Sequence, residues 1–431
     1  MKTVKFYTLG CKVNQYETQA MREQVLGMGF KEIDRGVPAD VYVVNTCTVT
    51  HNADNDSLGA IRRAKRENPR ASIIAAGCLS ELDAARIKSI DKNIIVIKNK
   101  EKGSVARFLQ QRRLRRFSEI TKQRNNESAN QRISFFKNHT RAFLKVQDGC
   151  NNFCSYCKVP LVRGRSISRP LDDALSEAQQ LADHGYKEIV LTGICLGVYG
   201  RDFEPKRSLS DLVALLEKID GLKRIRLSSI EISDVSDELI DVMAKSKKIC
   251  RHLHIPLQSG DDGVLRKMKR PYDSQGFVKR IQYIRRKMPL LALTTDVMVG
   301  FPGESEPAFH STLAVVKKMQ PLKVHIFPFS ARLETKAALF EGRVALDEVK
   351  QRMQLLKDLA IQTRSSYIKK LRVKNIPLRI LLERKYRDEK GAIRWQGYTD
   401  EYIPVSVKGI GNLKNKVINR NFSCIRILDE V

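Results

Sequence analysis

Short apolar runs alternate with longer amphipathic segments along residues 1–110. The runs with the length of buried strands are VKFYTLG, VYVVNTC, ASIIAAGC and NIIVIK. Between them, apolar positions recur at helical spacing in QYETQAMREQVLGMG, AIRRAKRENP, SELDAARIKS and GSVARFLQQRR. Because buried strands that alternate with helices form parallel sheets covered on both faces, the pattern predicts an α/β domain with a doubly wound parallel sheet.

The same alternation returns over residues 139–370. Six strand-like runs occur there, namely AFLKVQD, EIVLTG, RIRLSS, HLHIPL, LALTTDVMVG and KVHIFPFS. Six strand–helix units predict a partial or complete (β/α) barrel, and such barrels carry their chemistry at the carboxyl ends of the strands.

Two segments depart from this alternation. Residues 111–138 are polar and basic, as in QRNNESANQR, which predicts a basic linker between the two α/β domains. Residues 371–431 contain the short strand-like runs PLRILLERK, AIRWQGYTD, YIPVSVKG and SCIRILDE. Short strands joined by turns predict a small C-terminal β-barrel, similar to an OB fold.

The charge balance indicates a polyanionic partner. The 431 residues include 78 Lys and Arg against 48 Asp and Glu, a formal charge of +30. RNA contacts are predicted on the basic linker, on RKMKR at 266–270 and on residues 371–431; solvated surface charge is the alternative for part of this excess. Trp395 and Tyr398 either stack on an unpaired RNA base or belong to the core of the C-terminal barrel.

The cysteines predict metal ligation in a reducing compartment. The apolar runs are too short to span a bilayer, and MKTVKFYTLG lacks the apolar core of a secretory signal, so we expect a cytoplasmic protein. In that compartment the nine cysteines favour metal ligation or catalysis over disulfides.

The segment DGCNNFCSYCK places Cys150, Cys154 and Cys157 in a C-x3-C-x2-C pattern. Three thiolates on one loop can hold three corners of a [4Fe–4S] cluster and leave the fourth iron open for a substrate or cofactor. A zinc site is the alternative, but it needs a fourth ligand, and neither His139 nor Cys195 lies at motif spacing. The loop follows the first predicted barrel strand, where ligands collect.

A second group of cysteines is spread along the N-terminal domain. Cys11, Cys47 and Cys78 are 36 and 31 residues apart, and each lies just past the carboxyl end of a predicted parallel strand. Because parallel strands end at one edge of a sheet, neighbouring strands can deliver three thiolates to one point. Three unrelated buried cysteines are the alternative.

These motifs resemble the radical S-adenosylmethionine methylthiotransferases along nearly the whole chain. The similar segments are TLGCKVNQYE, VVNTCTVTHNAD, AAGCLSE, QDGCNNFCSYCKVPLVRGRSISR, TGICLGVYG, RLSSIE, HLHIPLQSGDDGVLRKMKR, TTDVMVGFPGES, VHIFPFSARLET and GYTDEYIPV. The resemblance implies two [4Fe–4S] clusters, one on Cys11, Cys47 and Cys78 and one on the C-x3-C-x2-C loop. It also implies that residues 371–431 form an RNA-binding TRAM domain.

Within this family, GCKVNQYE and NTCTVT are similar to the branch that adds a methylthio group to C2 of N6-threonylcarbamoyladenosine at position 37 of tRNA. The implied cofactors are the two clusters and S-adenosylmethionine, and the implied partners are the tRNA anticodon stem-loop and an electron donor. We expect a monomer. The C-x3-C-x2-C cluster would cleave S-adenosylmethionine, and the N-terminal cluster would carry the transferred sulfur.

Other positions are predicted to contact S-adenosylmethionine, with structural polar roles as the alternative. Thr192 and Gly193 match the family loop beside the methionine moiety, and three polar residues lie at predicted strand ends. Tyr156 either packs on the adenine or shields the cluster. The predicted set is Tyr156, Thr192, Gly193, Glu231, Gln258 and Asp296. His252 and His254 are assigned to the barrel layers.

The chain departs from the family pattern near both cysteine groups. Cys195 stands where Asn is frequent, and Glu334 stands where Gly is expected. KVPLVRG replaces the usual IIPYARG, which puts Lys158 and Leu161 beside the cysteine loop, and Leu58 stands where Arg is common.

Two alternative functions follow from the same motifs. A sister branch acts on N6-isopentenyladenosine in tRNA or on an aspartate of a ribosomal protein, but those branches resemble GCQMN and GCPKN rather than GCKVN. A non-catalytic iron–sulfur RNA-binding protein is the other alternative. Two cysteine triads argue against it, because a structural cluster gains nothing from an open iron.

Overall fold

The computed structural model describes residues 1–34, 36–113 and 132–428, without the side chains of 111–113. Most of the linker predicted at 111–138 therefore lies outside the described residues. Within the described residues, no helix has the length and apolar character needed to span a bilayer.

The N-terminal region is a five-stranded parallel sheet with helices on both faces. Its strands are β1 (Thr3–Thr8), β2 (Lys31–Glu32), β3 (Val41–Thr46), β4 (Ser72–Gly77) and β5 (Ile95–Ile97). Its helices are α1 (Lys12–Gly27), α2 (His51–Glu67), α3 (Cys78–Leu82), α4 (Ala84–Lys88) and α5 (Val105–Arg113). The strand order β2-β1-β3-β4-β5 is that of a doubly wound sheet, whose switch point for ligands lies between β1 and β3. The predicted sheet is confirmed.

Alternate residues of β3 lie on opposite faces of the sheet, and each face packs against a helix. Tyr42 and Val44 pack with Ile61 of α2, whereas Val41 and Val43 pack on the other face with Met21 of α1. Helices α1 and α2 both begin earlier than their apolar periodicity predicts, because their first turns carry polar residues that follow Cys11 and Cys47.

The central region is an open six-stranded barrel. Its strands, together with one short hairpin, are β6 (Arg141–Lys145), β7 (Gln147–Asp148), β8 (Ile167–Ser168), β9 (Glu188–Thr192), β10 (Arg224–Leu227), β11 (His252–His254), β12 (Ala292–Val299) and β13 (Lys323–Pro328). Its helices are α6 (Val159–Arg163), α7 (Leu171–Asp183), α8 (Leu209–Leu216), α9 (Asp237–Lys245), α10 (Asp262–Met268), α11 (Ser274–Lys287), α12 (Glu306–Met319) and α13 (Leu346–Lys374).

Two parallel sheets make up the barrel wall. They have the strand orders β10-β9-β6 and β11-β12-β13, and parallel bridges Ile225–Ile249 and Ser229–His254 join them. All six predicted barrel strands are present, and the same arrangement brings their carboxyl ends to one rim. The predicted boundary after residue 370 falls within α13.

The C-terminal region is a five-stranded antiparallel sheet. Its strands are β14 (Leu378–Arg387), β15 (Ile393–Thr399), β16 (Pro404–Lys408), β17 (Val417–Arg420) and β18 (Arg426–Ile427), in the order β17-β14-β15-β16-β18. Trp395 is 3% exposed in the core of this sheet, so the core alternative holds for its ring.

The turn after β15 packs against the amino-terminal end of the barrel. Arg224 donates hydrogen bonds to the carbonyl oxygens of Tyr398 and Thr399 at 2.8 and 2.9 Å. The Tyr398 ring lies under the guanidinium of Arg141, 4.6 Å from its centroid. Tyr398 is therefore part of the contact between the two regions, and the C-terminal sheet covers the barrel end opposite the predicted cysteine loop.

One buried carboxylate joins the N-terminal region to the barrel. Glu17 of α1 is 3% exposed and forms ion pairs with Lys102, Lys145 and Arg163 at 2.5, 2.7 and 2.9 Å. Burial raises the pKa of Glu17, but the charges of Arg163, Lys102 and Lys145 outweigh burial and hold it well below its usual range.

Glu17→Gln is expected to lower the free energy of unfolding by about 3–5 kcal/mol, because three buried cations lose their shared partner. The depressed pKa means that the stabilisation is complete above the pKa of an unfolded glutamate, roughly 4.3, and is lost as the pH falls through the lower folded value. Denaturant titrations at pH 7 and at acid pH test this. The exposed control Glu341→Gln should leave the pH 7 midpoint unchanged, and equal midpoints for both variants would refute the prediction.

Candidate functional site

The three N-terminal cysteines lie at one edge of the parallel sheet. Cys11 caps the start of α1 after β1, Cys47 directly follows β3, and Cys78 opens α3 after β4. The strands are in register up to this edge, with Thr46 opposite Gly77. Cys11 is exposed, whereas the other two thiols are buried.

Close backbone approach brings the Cys11 turn against Cys47. Gly10 has φ +86°, and a Cβ placed on it would lie 2.6 Å from the Cys47 Sγ. The Asn14 side chain donates to Leu9 O and Thr46 O at 2.8 and 3.0 Å, which fastens the two turns together. Only a residue without a side chain fits at position 10.

The three thiols are close enough to influence one another electrostatically. The pKa of Cys47 is raised to about 11, chiefly by burial, and the neighbouring thiols Cys78 and Cys11 contribute to the rise. A bound metal would reverse this preference, because metal ligands are thiolates and binding releases their protons.

The C-x3-C-x2-C loop follows β6 and β7. Backbone N–H groups of Asn152 and Val159 donate to the sulfurs of Cys150 and Cys157 at 3.4 and 3.5 Å. Such donors stabilise thiolates.

An arginine connects the second cysteine of the loop to a predicted ligand-binding carboxylate. Arg270 Nη1 donates to Cys154 Sγ at 3.4 Å, and its Nη2 pairs with Glu231. Arg270 is 9% exposed. The prediction that RKMKR at 266–270 is an RNA-binding surface is therefore wrong for Arg270, whose charge is used inside the site.

Cys195 lies against the same loop. A hydrogen bond from the Cys195 thiol lowers the pKa of Cys150 to about 7. Asn152 Nδ2 also donates to Cys195 Sγ at 3.8 Å. The thiol that replaces the usual Asn thus keeps a polar contact with the cysteine loop.

The predicted cofactor residues have neighbours within the protein. Thr192 Oγ1 donates to Val190 O at 3.0 Å, and a Cβ on Gly193 would lie 2.9 Å from Gln147 Oε1. Tyr156 packs against an apolar cluster that includes Met268. Gln258 has φ +64°, and its backbone N–H donates to the carbonyl oxygen of Asp296 at 2.8 Å. Contacts of these residues with S-adenosylmethionine remain a prediction.

Asp296 lies beside two histidines inside the barrel. His254 Nε2 is 3.2 Å from Asp296 Oδ2, and the rings of His254 and His325 are 5.5 Å apart. Thr294 Oγ1 lies 2.9 Å from His254 Nδ1 and 3.0 Å from His252 Nε2. The histidines assigned to barrel layers therefore form a polar group with a predicted cofactor residue.

The residues present fit the implied clusters. Each site offers three thiols and no disulfide, the Gly10 turn leaves room beside Cys47, and N–H groups already point at the sulfurs of the C-x3-C-x2-C loop. Three thiols per site match a [4Fe–4S] cluster with one open iron.

Comparisons with known proteins agree with this architecture. The family described as "Radical SAM superfamily" matches residues 144–316, and "Uncharacterized protein family UPF0004" matches residues 3–98. The fold is similar to that of the radical S-adenosylmethionine methyltransferase TsrM from Kitasatospora setae. That structure has a TM-score of 0.56, covering 76% of this chain and 72% of that chain at 13% identity.

Full-length relatives define the class more closely. The "Threonylcarbamoyladenosine tRNA methylthiotransferase MtaB" of Bacillus subtilis is 40% identical, covering 97% of this chain and 93% of the relative. The "tRNA-2-methylthio-N(6)-dimethylallyladenosine synthase" of Thermodesulfovibrio yellowstonii is 33% identical, covering 94% and 93%. The chain is a radical S-adenosylmethionine protein, and within that class it belongs to the methylthiotransferase family. Its cofactors are accordingly [4Fe–4S] clusters and S-adenosylmethionine.

Sequence analysis assigned no site role to two residues that the structure places at the site. Arg270 was hidden in a basic run, and His325 lies on the last barrel strand, within the similar segment VHIFPFSARLET. For His325, a position on a barrel strand was the available signal, since ligands collect toward the carboxyl ends of these strands.

Proposed function

We propose that the protein adds a methylthio group to C2 of N6-threonylcarbamoyladenosine at position 37 of tRNA. In this proposal Cys11, Cys47 and Cys78 hold one [4Fe–4S] cluster, and the C-x3-C-x2-C loop holds the other. The observation that carries the proposal is the presence of two separate cysteine triads, each at the carboxyl edge of a parallel sheet.

The bound cofactors supply radical formation from S-adenosylmethionine and a sulfur for transfer. The residues of the chain position the two cysteine sites and supply the charges around them. Arg270 neutralises negative charge at Cys154 and orients Glu231, and α1 places the N-terminal triad over the barrel through Glu17. We assign Tyr156, Thr192, Gly193, Glu231, Gln258 and Asp296 to the S-adenosylmethionine side of the barrel because they lie at or near its carboxyl rim.

The substrate assignment rests on the N-terminal motif and on relatedness. GCKVNQ is similar to the threonylcarbamoyladenosine branch, and the relative with that name is more similar than the dimethylallyladenosine synthase, 40% against 33%. Residues 1–110 form the sulfur-carrying domain in this proposal, 139–370 the radical domain, and 371–431 the tRNA-binding domain. The proposal also includes a cytoplasmic monomer that receives its electrons from a separate donor.

Anaerobic reconstitution tests the enzyme against a binding protein. The proposal predicts about eight irons per chain, four for each cluster, and reductant-dependent cleavage of S-adenosylmethionine. About four irons would contradict the two-cluster assignment. Full iron content without cleavage would favour the iron–sulfur RNA-binding alternative.

A further inference from the structure

Residues 331–337, the bridge segment, follow the last barrel strand and contact the N-terminal region. His51 Nε2 donates to Ala331 O at 3.0 Å. Arg332 Nη2 donates to the carbonyl and hydroxyl oxygens of Thr48 at 3.1 and 3.0 Å and to Asp54 Oδ2 at 2.5 Å. Thr48 directly follows Cys47, so the contact reaches the N-terminal cysteine edge itself.

The same segment contacts the C-x3-C-x2-C loop. The amide of Ala337 donates to Ser155 O at 2.9 Å, and Glu334 forms an ion pair with Lys158. Ser155 lies between Cys154 and Cys157, and Lys158 follows Cys157. The seven-residue bridge segment therefore contacts, in each cysteine triad, at least one residue adjacent to a cysteine.

The bridge segment has the internal order of a fixed spacer. Thr335 donates through both its amide and its hydroxyl to Arg332 O, at 2.8 and 2.7 Å. Ala337 is 1% exposed and packs in the apolar cluster that contains Tyr156. Because both ends of the bridge segment are held by ordered contacts, it can fix the N-terminal region relative to the C-x3-C-x2-C loop. A loosely held loop would not do so.

Buried charge makes the N-terminal contact strong. Arg332 and Asp54 are 3% and 4% exposed, and Thr48 Oγ1 donates to the second oxygen of Asp54 at 2.6 Å. Removing one partner of a buried, hydrogen-bonded ion pair leaves an uncompensated charge. The Lys158–Glu334 pair consists of two residues that depart from the family pattern, and each supplies the partner that the other needs.

We propose that the bridge segment sets the relative position of the two cysteine triads, with Arg332 as its principal positioning residue. The inference rests on the proposed function. Both triads must act on one purine base, so a change in their separation should uncouple S-adenosylmethionine cleavage from methylthiolation. Misplacement by about 1 Å can cost a reaction roughly a hundredfold.

Arg332→Gln in the reconstituted enzyme tests the proposal. We expect the ratio of 5'-deoxyadenosine to methylthiolated nucleoside to rise at least about tenfold, with iron content and the cleavage rate unchanged. In the cluster-free protein, amide hydrogen exchange should increase in residues 47–57, which measures the contact independently of activity. Arg343→Gln, an exposed control, should change neither quantity, and Arg332→Lys should recover part of the coupling. An unchanged ratio and unchanged exchange in Arg332→Gln would overturn the proposal.

A charge exchange tests the other end of the bridge segment. Lys158→Glu and Glu334→Lys should each raise the ratio, and the double variant should bring it back toward the wild-type value. Failure of the double variant to recover would refute the positional role of this pair. If the wild-type enzyme forms 5'-deoxyadenosine and no methylthiolated nucleoside at all, the proposed function fails instead, and the exchange measurement still decides whether the bridge contacts hold.

Discussion

Replacing Cys11 by alanine is expected to abolish methylthiolation while S-adenosylmethionine cleavage continues. The iron content should fall from about eight to about four per chain, since two thiols rarely retain a cubane cluster. The fold should tolerate the change, because Cys11 is exposed and its side chain makes no capping hydrogen bond to α1. In this variant the C-x3-C-x2-C loop keeps all three of its thiols and the N–H groups that donate to them.

The measurement for Cys11→Ala has three parts. Iron analysis gives cluster content, chromatography gives 5'-deoxyadenosine, and mass spectrometry of digested tRNA gives the product nucleoside. Cys424→Ala, an exposed cysteine outside both triads, is the matched control and should behave as wild type. Full product formation by Cys11→Ala would remove the sulfur-carrier role from the N-terminal triad.

Cys154→Ala is expected to stop both reactions. The loop would lose one of three thiols, and Arg270 would lose the sulfur that it contacts at 3.4 Å. About four irons should remain, now on the N-terminal triad. Cys154→Ala and Cys11→Ala should therefore have equal iron content but differ in S-adenosylmethionine cleavage.

The same three assays separate the outcomes for Cys154→Ala. Residual cleavage at the wild-type rate would show that this loop does not form the radical. Loss of all iron would show that the two sites assemble together, and it would remove the basis for comparing the two variants.

The architecture was predictable because strand runs and helical spacing are local signals. The apolar runs that end in Cys47 and Cys78 predicted both the parallel sheet and the edge of that sheet at which the cysteines lie. The short strands β2 and β17 were missed, since two and four residues are too few to show a periodicity. The early start of α2 was missed because its first turn is polar and its cap, Thr50, lies ten residues before the apolar pattern.

The site was predictable only where residues share a motif. The six cysteines follow a pattern of spacing or of strand position, whereas Arg332 reaches Asp54 across 278 residues of sequence. Arg270 was misassigned because a basic run looks the same whether its side chains face solvent or a carboxylate. Lys158 and Glu334 looked like independent departures until the fold brought them into contact.

Nucleoside analysis in cells tests the central claim most directly. The gene would be expressed in a bacterial host that lacks its own 2-methylthio-N6-threonylcarbamoyladenosine activity, and digested tRNA would be analysed by mass spectrometry. The proposed function predicts that this nucleoside appears with the wild-type chain and is absent with Cys11→Ala. Its absence with an iron-loaded wild-type chain, or the appearance of 2-methylthio-N6-isopentenyladenosine in its place, would contradict the assignment.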